Sequence, residues 1–154
     1  LMKGVSANRF NPNGSTSRAM VVTVLYRLAG EPAVSGSAAF RDVVPGAWYE
    51  KAVIWASTNG VVNGFADGTF APDASITRQQ LAAILWRYAG SPTASGGLSA
   101  FADAAEVSAF AVDAMVWVVG QDVLLGDNGK LLPQAGATRA QLAAMLQRFT
   151  KVNQ

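Results

Sequence analysis

A repeat of about 60 residues constrains the fold of this chain more than any other feature, because every copy must form the same local structure. The pairs Ser17-Arg18, Thr77-Arg78 and Thr138-Arg139 are spaced 60 and 61 residues apart. Behind each pair runs an apolar i, i+3, i+4, i+7 stripe, which is typical of an amphipathic helix. The three stripes are Val21/Val24/Leu25/Leu28, Leu81/Ile84/Leu85/Tyr88 and Leu142/Met145/Leu146/Phe149.

The ends of these helices are also marked in the sequence. Each begins with Ser or Thr as a predicted N-cap, and Gln80 and Gln141 stand three residues later, which predicts a capping box in two of the copies. Two copies end in Ala-Gly-x-Pro, at residues 29–32 and 89–92, which is typical of a helix stop. The chain therefore contains three predicted copies of one capped helix.

A second helix and a glycine loop precede the capped helix. Phe40-Arg-Asp42 and Phe101-Ala-Asp103 each lead into an apolar helical pattern, and we expect Asp42 and Asp103 to brace the start of that helix. The glycine loop covers residues 60–72 and is echoed at 126–133 and 4–12. Glycines permit its tight turns, and one apolar side chain per loop is expected to fill the core, namely Phe70, Phe10 and Leu132.

These elements divide the chain into repeats of the form helix, glycine loop, helix. Two complete repeats are predicted at residues 40–92 and 101–154, preceded at residues 1–32 by a half repeat that lacks its first helix. The segments 31–39 and 90–100 are rich in Ser, Gly, Ala and Pro and read as short linkers. The predicted fold class is all-α.

Composition argues against several classes of function. The chain has no cysteine and no histidine, which removes disulfides, thiolate metal sites and the commonest general base. Its net charge of +2 arises from scattered residues, so nucleic-acid binding is not expected. No stretch approaches the roughly 20 apolar residues of a membrane span, and no signal peptide is visible.

The order and spacing of these motifs resemble S-layer homology repeats. The resemblance covers nearly the whole chain and is carried by Phe40-x-Asp42, Trp48-Tyr49, Ala52-Val53-Ile54-Trp55-Ala56, Gly60-Val61-Val62-Asn63-Gly64, Asp67-Gly68-Thr69-Phe70-Ala71-Pro72 and Ile76-Thr77-Arg78. It implies three repeats in a pseudo-threefold arrangement around a central three-helix bundle. It also implies an extracellular place, at the bacterial cell wall or S-layer.

The same resemblance implies a ligand. In this family, grooves between neighbouring repeats bind anionic secondary cell-wall polysaccharide, which often carries a pyruvate ketal. The family's Thr-Arg-Ala-Glu motif supplies the arginine that meets the anion, so Arg18, Arg78 and Arg139 are the implied contacts. The motif glutamate is replaced by Met20, Gln80 and Gln141 in this chain.

The position of Arg18, Arg78 and Arg139 at helix N-termini also points to an anion on physical grounds. A cation in the first turn faces the positive end of the helix dipole, at a cost of a few tenths to about 1 kcal/mol. Three such residues at equivalent positions suggest an anion shared by the guanidinium and the helix amides. The alternative is that they pack over the core or pair with a carboxylate. Arg27, Arg87 and Arg148 recur in the last turn, where the dipole favours a cation, and are assigned structural roles.

The candidate groove is completed by Trp48, Gly64 and Asp67. Trp48 offers an aromatic face for a sugar, whereas Trp55 and Trp117 lie deeper in the helix stripe and are expected in the core. The Asp-Gly pair of the loop predicts a turn, because it lacks the alternating oxygen ligands of a calcium loop. We expect no cofactor and no metal.

Three hypotheses follow for the function. The first is a non-catalytic anchor that binds an anionic wall glycan. The second is a structural or protein-interaction module, in which the open first repeat self-associates or is filled by another chain, or in which the chain is a fragment of a larger surface protein. The third, an enzyme, rests on Asp42 with Asp67 and Asp103 with Asp127, which recur with the repeat and so look architectural.

Overall fold

The computed structural model describes residues 14–152, and this part of the chain contains five α-helices. They are α1 (Arg18–Leu28), α2 (Glu50–Thr58), α3 (Arg78–Tyr88), α4 (Val112–Gly120) and α5 (Arg139–Val152), with two short 3-10 helices, Ala104–Glu106 and Ala109–Ala111, before α4. Only isolated β-bridges accompany them among the described residues. The predicted all-α class is confirmed, and α1, α3 and α5 are the three copies of the capped helix.

The described residues form two compact units whose boundaries differ from those of the sequence repeat. Unit 1 is Thr16–Ser75, and unit 2 comprises Gly14, Ser15 and residues 76–152. In unit 1 the capped helix α1 packs against α2, with the Tyr26 and Trp55 rings 5.7 Å apart. Each unit therefore pairs the second helix of one repeat with the first helix of the next repeat.

Unit 2 repeats this pairing and adds α5. Helix α3 packs against α4. Phe149 of α5 is fully buried, and its ring lies 5.7 Å from that of Tyr88 on α3 and 6.1 Å from that of Trp117 on α4. Aromatic pairs at such separations stabilise by more than their buried area alone. Phe149 thus joins all three helices of the unit.

The predicted N-caps form in all three copies. The Ser17, Thr77 and Thr138 hydroxyls accept the N–H of the residue three positions on. In two copies the glutamine at that position returns the bond, since Gln80 Oε1 accepts the Thr77 N–H and Gln141 Oε1 accepts the Thr138 N–H. The capping boxes predicted at Gln80 and Gln141 are confirmed, whereas Met20 has no amide oxygen for this role.

The C-terminal ends of α1 and α3 share one geometry. Gly30 and Gly90 adopt φ values of 89° and 95°, which glycine reaches without steric cost. An aromatic side chain of the last turns then holds the departing chain, because Tyr26 Oη donates to the Pro32 carbonyl and Trp86 Nε1 donates to the Pro92 carbonyl. The predicted Gly-x-Pro stops are therefore reinforced by a tertiary hydrogen bond.

Asp42 and Asp103 brace the glycine loops and not the first helix, so that expectation is wrong. The two carboxylate oxygens of Asp42 accept the N–H groups of Phe70 and Ala71 at 2.8 Å. Asp103 accepts those of Leu131 and Leu132 at 2.8 and 2.9 Å in the same way. Helices α2 and α4 begin at Glu50 and Val112, several residues further on, so neither carboxylate reaches their first turn.

The loops place one large apolar side chain in the core of each unit. Phe70 is fully buried as predicted, but in unit 2 the equivalent side chain is Leu131, and Leu132 is half-buried. The loop of unit 2 is one residue shorter, and Leu132 takes the positive φ that Ala71 has in unit 1. Trp55 and Trp117 lie in the core as predicted, whereas Phe10 lies outside the described residues.

The arrangement of the repeats, their boundaries and their self-association are not tested by the contacts described above. The pseudo-threefold arrangement stays a prediction, as do the repeat boundaries at 1–32, 40–92 and 101–154. Self-association through the first repeat also stays a prediction, because residues 1–13 lie outside the described part of the chain. None of the helices within residues 14–152 combines the length and apolar character that a membrane span requires.

Asp103 should make the stability of unit 2 depend on pH. The hydrogen bond from the Leu131 N–H, helped by that from Leu132, lowers the pKa of Asp103 against the opposing effect of burial. A lowered carboxyl pKa stabilises the fold at pH values above about 4, and this stabilisation is lost as the pH falls through the folded-state pKa. We expect Asp103→Asn to lower the urea midpoint at pH 7 and to flatten its decline below pH 4.

The matched control is Asp122→Asn, which changes an exposed aspartate of unit 2 at a positive φ that asparagine also tolerates. Urea titrations followed by tryptophan fluorescence at pH 7 and pH 3 measure both variants. A midpoint for Asp103→Asn equal to that of the control at both pH values would contradict the bracing role.

Candidate functional site

The three arginines of the repeated Ser/Thr-Arg motif are buried at the start of their helices. Arg18, Arg78 and Arg139 are 7, 4 and 6% exposed. The Nε of Arg18 donates to the Phe70 carbonyl at 2.8 Å, and that of Arg78 donates to the Leu131 carbonyl at 2.8 Å. Because Phe70 and Leu131 are equivalent loop residues, both arginines clamp a glycine loop onto a helix N-terminus.

The helix amides beside these arginines are already used by the protein. The N–H groups of Arg18 and Ala19 donate to the Ala74 and Pro72 carbonyls in unit 1. In unit 2 the N–H of Arg78 donates to the Ala135 carbonyl in the same arrangement.

The next amide of α3 and the first amide of α5 follow the same pattern. The N–H of Gln79 donates to the Pro133 carbonyl, and that of Arg139 donates to the Gly14 carbonyl. In α1 and α3 the expectation that an anion shares the first-turn amides with the guanidinium is therefore wrong, since loop carbonyls and the N-cap hydroxyls occupy these amides. At these two helix ends an anion must be met by side chains.

In unit 1 the guanidinium of Arg18 lies against two aromatic rings. Its carbon is 4.7 Å from the centroid of Phe65 and 4.9 Å from that of Phe70. Phe70 is buried and Phe65 is 43% exposed, so one ring forms the floor and the other faces solvent. Cation–π contacts of this kind stabilise a guanidinium by about 0.5–2 kcal/mol, depending on desolvation.

In unit 2 the guanidinium of Arg78 instead lines an open groove of about 340 Å³. We call it the Arg78 groove. Its charged side chains are Arg78, Asp127 and Arg148, and the rest of its lining is Leu124, Leu125, Gly126, Ala140, Gln141, Ala144 and Met145. The Nη1 of Arg148 donates to the Val123 carbonyl at 3.4 Å, which anchors this side chain beside the groove.

The electrostatics of Arg78 are those of a desolvated cation. Burial lowers the pKa of Arg78, and the negative charges of Asp127 and Asp103 act in the opposite direction. An arginine keeps its proton throughout the physiological range, so the side chain remains a cation. A partly desolvated guanidinium at the edge of a groove is well suited to bind a carboxylate or phosphate through paired hydrogen bonds.

Gly64 and Asp67, which were predicted to shape the groove, have structural roles within unit 1. Gly64 has a φ of 71°, and a Cβ at this position would overlap the Phe40 ring. Asp67 accepts hydrogen bonds from the Thr69 N–H and Oγ1 at 3.1 and 2.7 Å, which lower its pKa. Its Arg41 contact of 3.8 Å is exposed and contributes little. The predicted turn at Asp67 is observed.

Trp48, the predicted sugar platform, lies in a different groove from the arginine site. Its indole is 63% exposed and packs edge-to-face on Tyr49, with ring centroids 5.2 Å apart. It lines a groove of about 280 Å³ together with residues of the second half of α1 and the start of α2, such as Tyr26, Arg27 and Lys51. Arg18 does not line this groove. The structure therefore separates Trp48 from the arginine to which the sequence linked it.

Two groove residues were assigned other roles from the sequence. Arg148 recurs with Arg27 and Arg87 and was predicted to lie in the last turn of its helix with a structural role. That placement is wrong for Arg148, because α5 extends to Val152 and has Lys151 in its last turn.

Asp127 belongs to a loop that was interpreted as a turn. The sequence contained one signal for the role of Asp127. When the glycine loops are aligned at Gly64 and Gly126, the shorter loop of the last repeat has the carboxylate of Asp127 at the position of Phe65.

Comparison with known proteins finds similarity over nearly the whole chain. The sequence profile of the S-layer homology domain matches residues 39–82 and 100–143 of this chain. A surface-layer 125 kDa protein of Lysinibacillus sphaericus is 34% identical over 152 residues, which cover 96% of this chain and 13% of that protein.

Other relatives have names that denote enzymes. An amylopullulanase of Thermoanaerobacterium thermosulfurigenes is 29% identical over 95% of this chain and 8% of the relative. An endoglucanase of a Bacillus species is 30% identical over 95% of this chain and 16% of the relative. The chain thus spans less than a fifth of each of these three proteins.

Gly64→Ala should destabilise unit 1 more than Gly68→Ala. Both glycines have a positive φ, which costs a substituted alanine about 1–2 kcal/mol. At Gly68 the added methyl meets nothing within 4 Å, whereas at Gly64 it overlaps the Phe40 ring, which adds roughly 1–3 kcal/mol of overpacking. Urea denaturation followed by tryptophan fluorescence measures the difference. Equal losses in the two variants would show that the Phe40 contact is not the reason for glycine at this position.

Proposed function

Since the chain belongs to the S-layer homology domain family, we propose that it is a non-catalytic module that anchors a larger protein to the bacterial cell wall. Anchoring at the wall is the role that the family implies. We propose further that its ligand is an anionic secondary cell-wall polysaccharide, of the pyruvylated kind to which the resemblance points. The observation that carries this finer proposal is the Arg78 groove, where a buried guanidinium faces an open space of about 340 Å³.

The groove has the chemistry that an acidic saccharide requires. Arg78 is held through Nε by the Leu131 carbonyl, which orients the planar guanidinium and leaves its Nη groups for a ligand. Because this side chain is already ordered, binding costs less rotamer entropy than it would for a mobile surface arginine. Leu124, Leu125 and Met145 supply apolar surface for the C–H face of a sugar ring.

Arg18 and Arg139 are proposed as equivalent contacts for the same class of ligand. Both are buried at the first position of a capped helix, as Arg78 is. In the case of Arg18, Phe65 and Phe70 flank the guanidinium, and an exposed ring such as Phe65 can also stack against a sugar. Trp48 is proposed as a second stacking surface, separate from the arginine, in the groove beside Arg27.

The relatives support an anchoring role over a catalytic one. The chain matches only small parts of two proteins named for glycan hydrolysis and a small part of a surface-layer protein. A module that occurs in proteins with such different names is expected to have a function that does not depend on any one enzyme activity, such as attachment to the wall. Attachment outside the cell, at the wall or S-layer, agrees with the surface-layer and cell-surface names among the relatives.

Sedimentation with bacterial wall sacculi tests the proposed function. We expect the purified chain to sediment with sacculi that carry their secondary polysaccharide and to remain in the supernatant after that polysaccharide has been removed chemically. Equal sedimentation with intact and stripped walls would place the binding on peptidoglycan and overturn the polysaccharide proposal. No sedimentation with intact walls of the source organism would overturn the anchor proposal.

Arg78→Ala should weaken this binding by about tenfold or more, because a hydrogen bond to a charged group contributes roughly 1.5–3 kcal/mol. Arg87→Ala is the matched control. Arg87 lies at the other end of the same helix, does not line the groove, and is also partly buried, since burial lowers its pKa. Thermal melts of both variants report any loss of folding. Equal wall affinities for two folded variants would remove Arg78 from the site.

A further inference from the structure

The two arginine sites that the structure describes in most detail differ at one loop position. The residue after the tight glycine is Phe65 in unit 1, following Gly64, and Asp127 in unit 2, following Gly126. Both residues open the same kind of turn, since the Phe65 N–H donates to the Thr69 carbonyl and the Asp127 N–H donates to the Lys130 carbonyl. The backbone is thus alike in the two sites, and the side chain presented to the arginine is not.

This exchange changes what each arginine can accept. The Phe65 ring against the Arg18 guanidinium carries no net charge and offers no oxygen or nitrogen acceptor to a ligand hydroxyl. A carboxylate beside Arg78 opposes the approach of any anion and accepts hydrogen bonds from hydroxyl groups. A plain anion is therefore disfavoured in the Arg78 groove relative to a ligand that also brings donors for Asp127.

Arg148 also lines the groove, and its positive charge offsets the negative charge of Asp127. It extends from α5, and its bond to the Val123 carbonyl is long at 3.4 Å, so its remaining donors are not committed by that contact. Arg78, Asp127 and Arg148 together leave one net positive charge. Such a set matches a ligand with one acidic group and neighbouring hydroxyls.

We propose that Asp127 and Arg148 determine the specificity of the Arg78 groove, which selects a saccharide whose single acidic group binds the two arginines while an adjacent hydroxyl donates to Asp127. This inference rests on the proposed function and narrows its ligand to hydroxylated, singly acidic sugars. Arg148 is then a ligand contact, in addition to its hydrogen bond with the Val123 carbonyl. Asp127 acts by selecting against anions that lack hydroxyl groups.

A pair of small probes tests the inference directly. Glucuronate and cyclohexanecarboxylate both carry one carboxylate on a six-membered ring, and only the first has hydroxyls. Titration of the whole chain with each probe, followed by NMR chemical shifts, gives two affinities and their ratio. We expect the wild type to prefer glucuronate by about tenfold or more, because a site built to bind a hydroxyl rejects the analogue without it.

The variants separate the two roles. Asp127→Asn should strengthen binding of cyclohexanecarboxylate and lower the preference for glucuronate by about tenfold, since the negative charge that repels the probe is removed and the charged acceptor becomes a weaker, neutral amide oxygen. Arg148→Gln should weaken both probes by roughly tenfold and leave their ratio unchanged. Asp122→Asn, an exposed change outside the groove, is the matched control and should alter neither.

An unchanged ratio in Asp127→Asn overturns the inference, and so does the absence of any binding of either probe to the wild type. Both outcomes are distinguishable from failure of the proposed function. If the chain still sediments with intact walls in an Arg78-dependent manner, only the specificity assignment is lost. If wall binding is absent as well, the anchor itself is refuted.

Discussion

The docking of a glycine loop onto a helix N-terminus is the contact on which the rest of each unit depends. A helix exposes unpaired N–H groups in its first turn, and these need partners when they are buried. In α1 and α3 the first two are met by loop carbonyls and the third by the N-cap hydroxyl. Two of the loop's own N–H groups are met in turn by Asp42 or Asp103. The ends of a segment without regular secondary structure are thereby held by a carboxylate and a helix N-terminus, while its turns are closed by hydrogen bonds within the loop.

The arginine of the motif belongs to the same network, which gives it two roles. Its Nε is a structural donor to the loop, and the remainder of its guanidinium is the cation of the candidate groove. Burial beside the helix N-terminus is unfavourable for a cation, and the loop carbonyl offsets part of that cost. The position of the arginine at the positive end of the helix is therefore explained by its bond to the docked loop and by its place in the groove. An anion bound to the helix amides is not needed to explain it. A guanidinium held in this way is also ordered before any ligand arrives.

Local patterns in the sequence predicted the helices well, because amphipathic spacing and capping depend on residues a few positions apart. The capping boxes at Gln80 and Gln141 and the buried Trp55 and Trp117 are of this kind. The partners of Asp42 and Asp103 lie 28 and 29 residues away, so spacing alone could not identify them. The groove was predicted only through its arginine. Arg148 lines the groove from another helix, α5. Trp48 does not line it, because the indole lies beside the second half of α1 in a separate groove.

The offset between sequence repeat and packing unit bears on how such chains diversify. Helix α1 packs on α2 and α3 packs on α4, so these two helix pairs each join two successive predicted repeats. A duplication or deletion of one 60-residue period adds or removes one helix of each kind, wherever the genetic break points fall. The new neighbours then meet through an interface that already exists elsewhere in the chain. The gene can therefore gain or lose copies without first having to evolve a new interface.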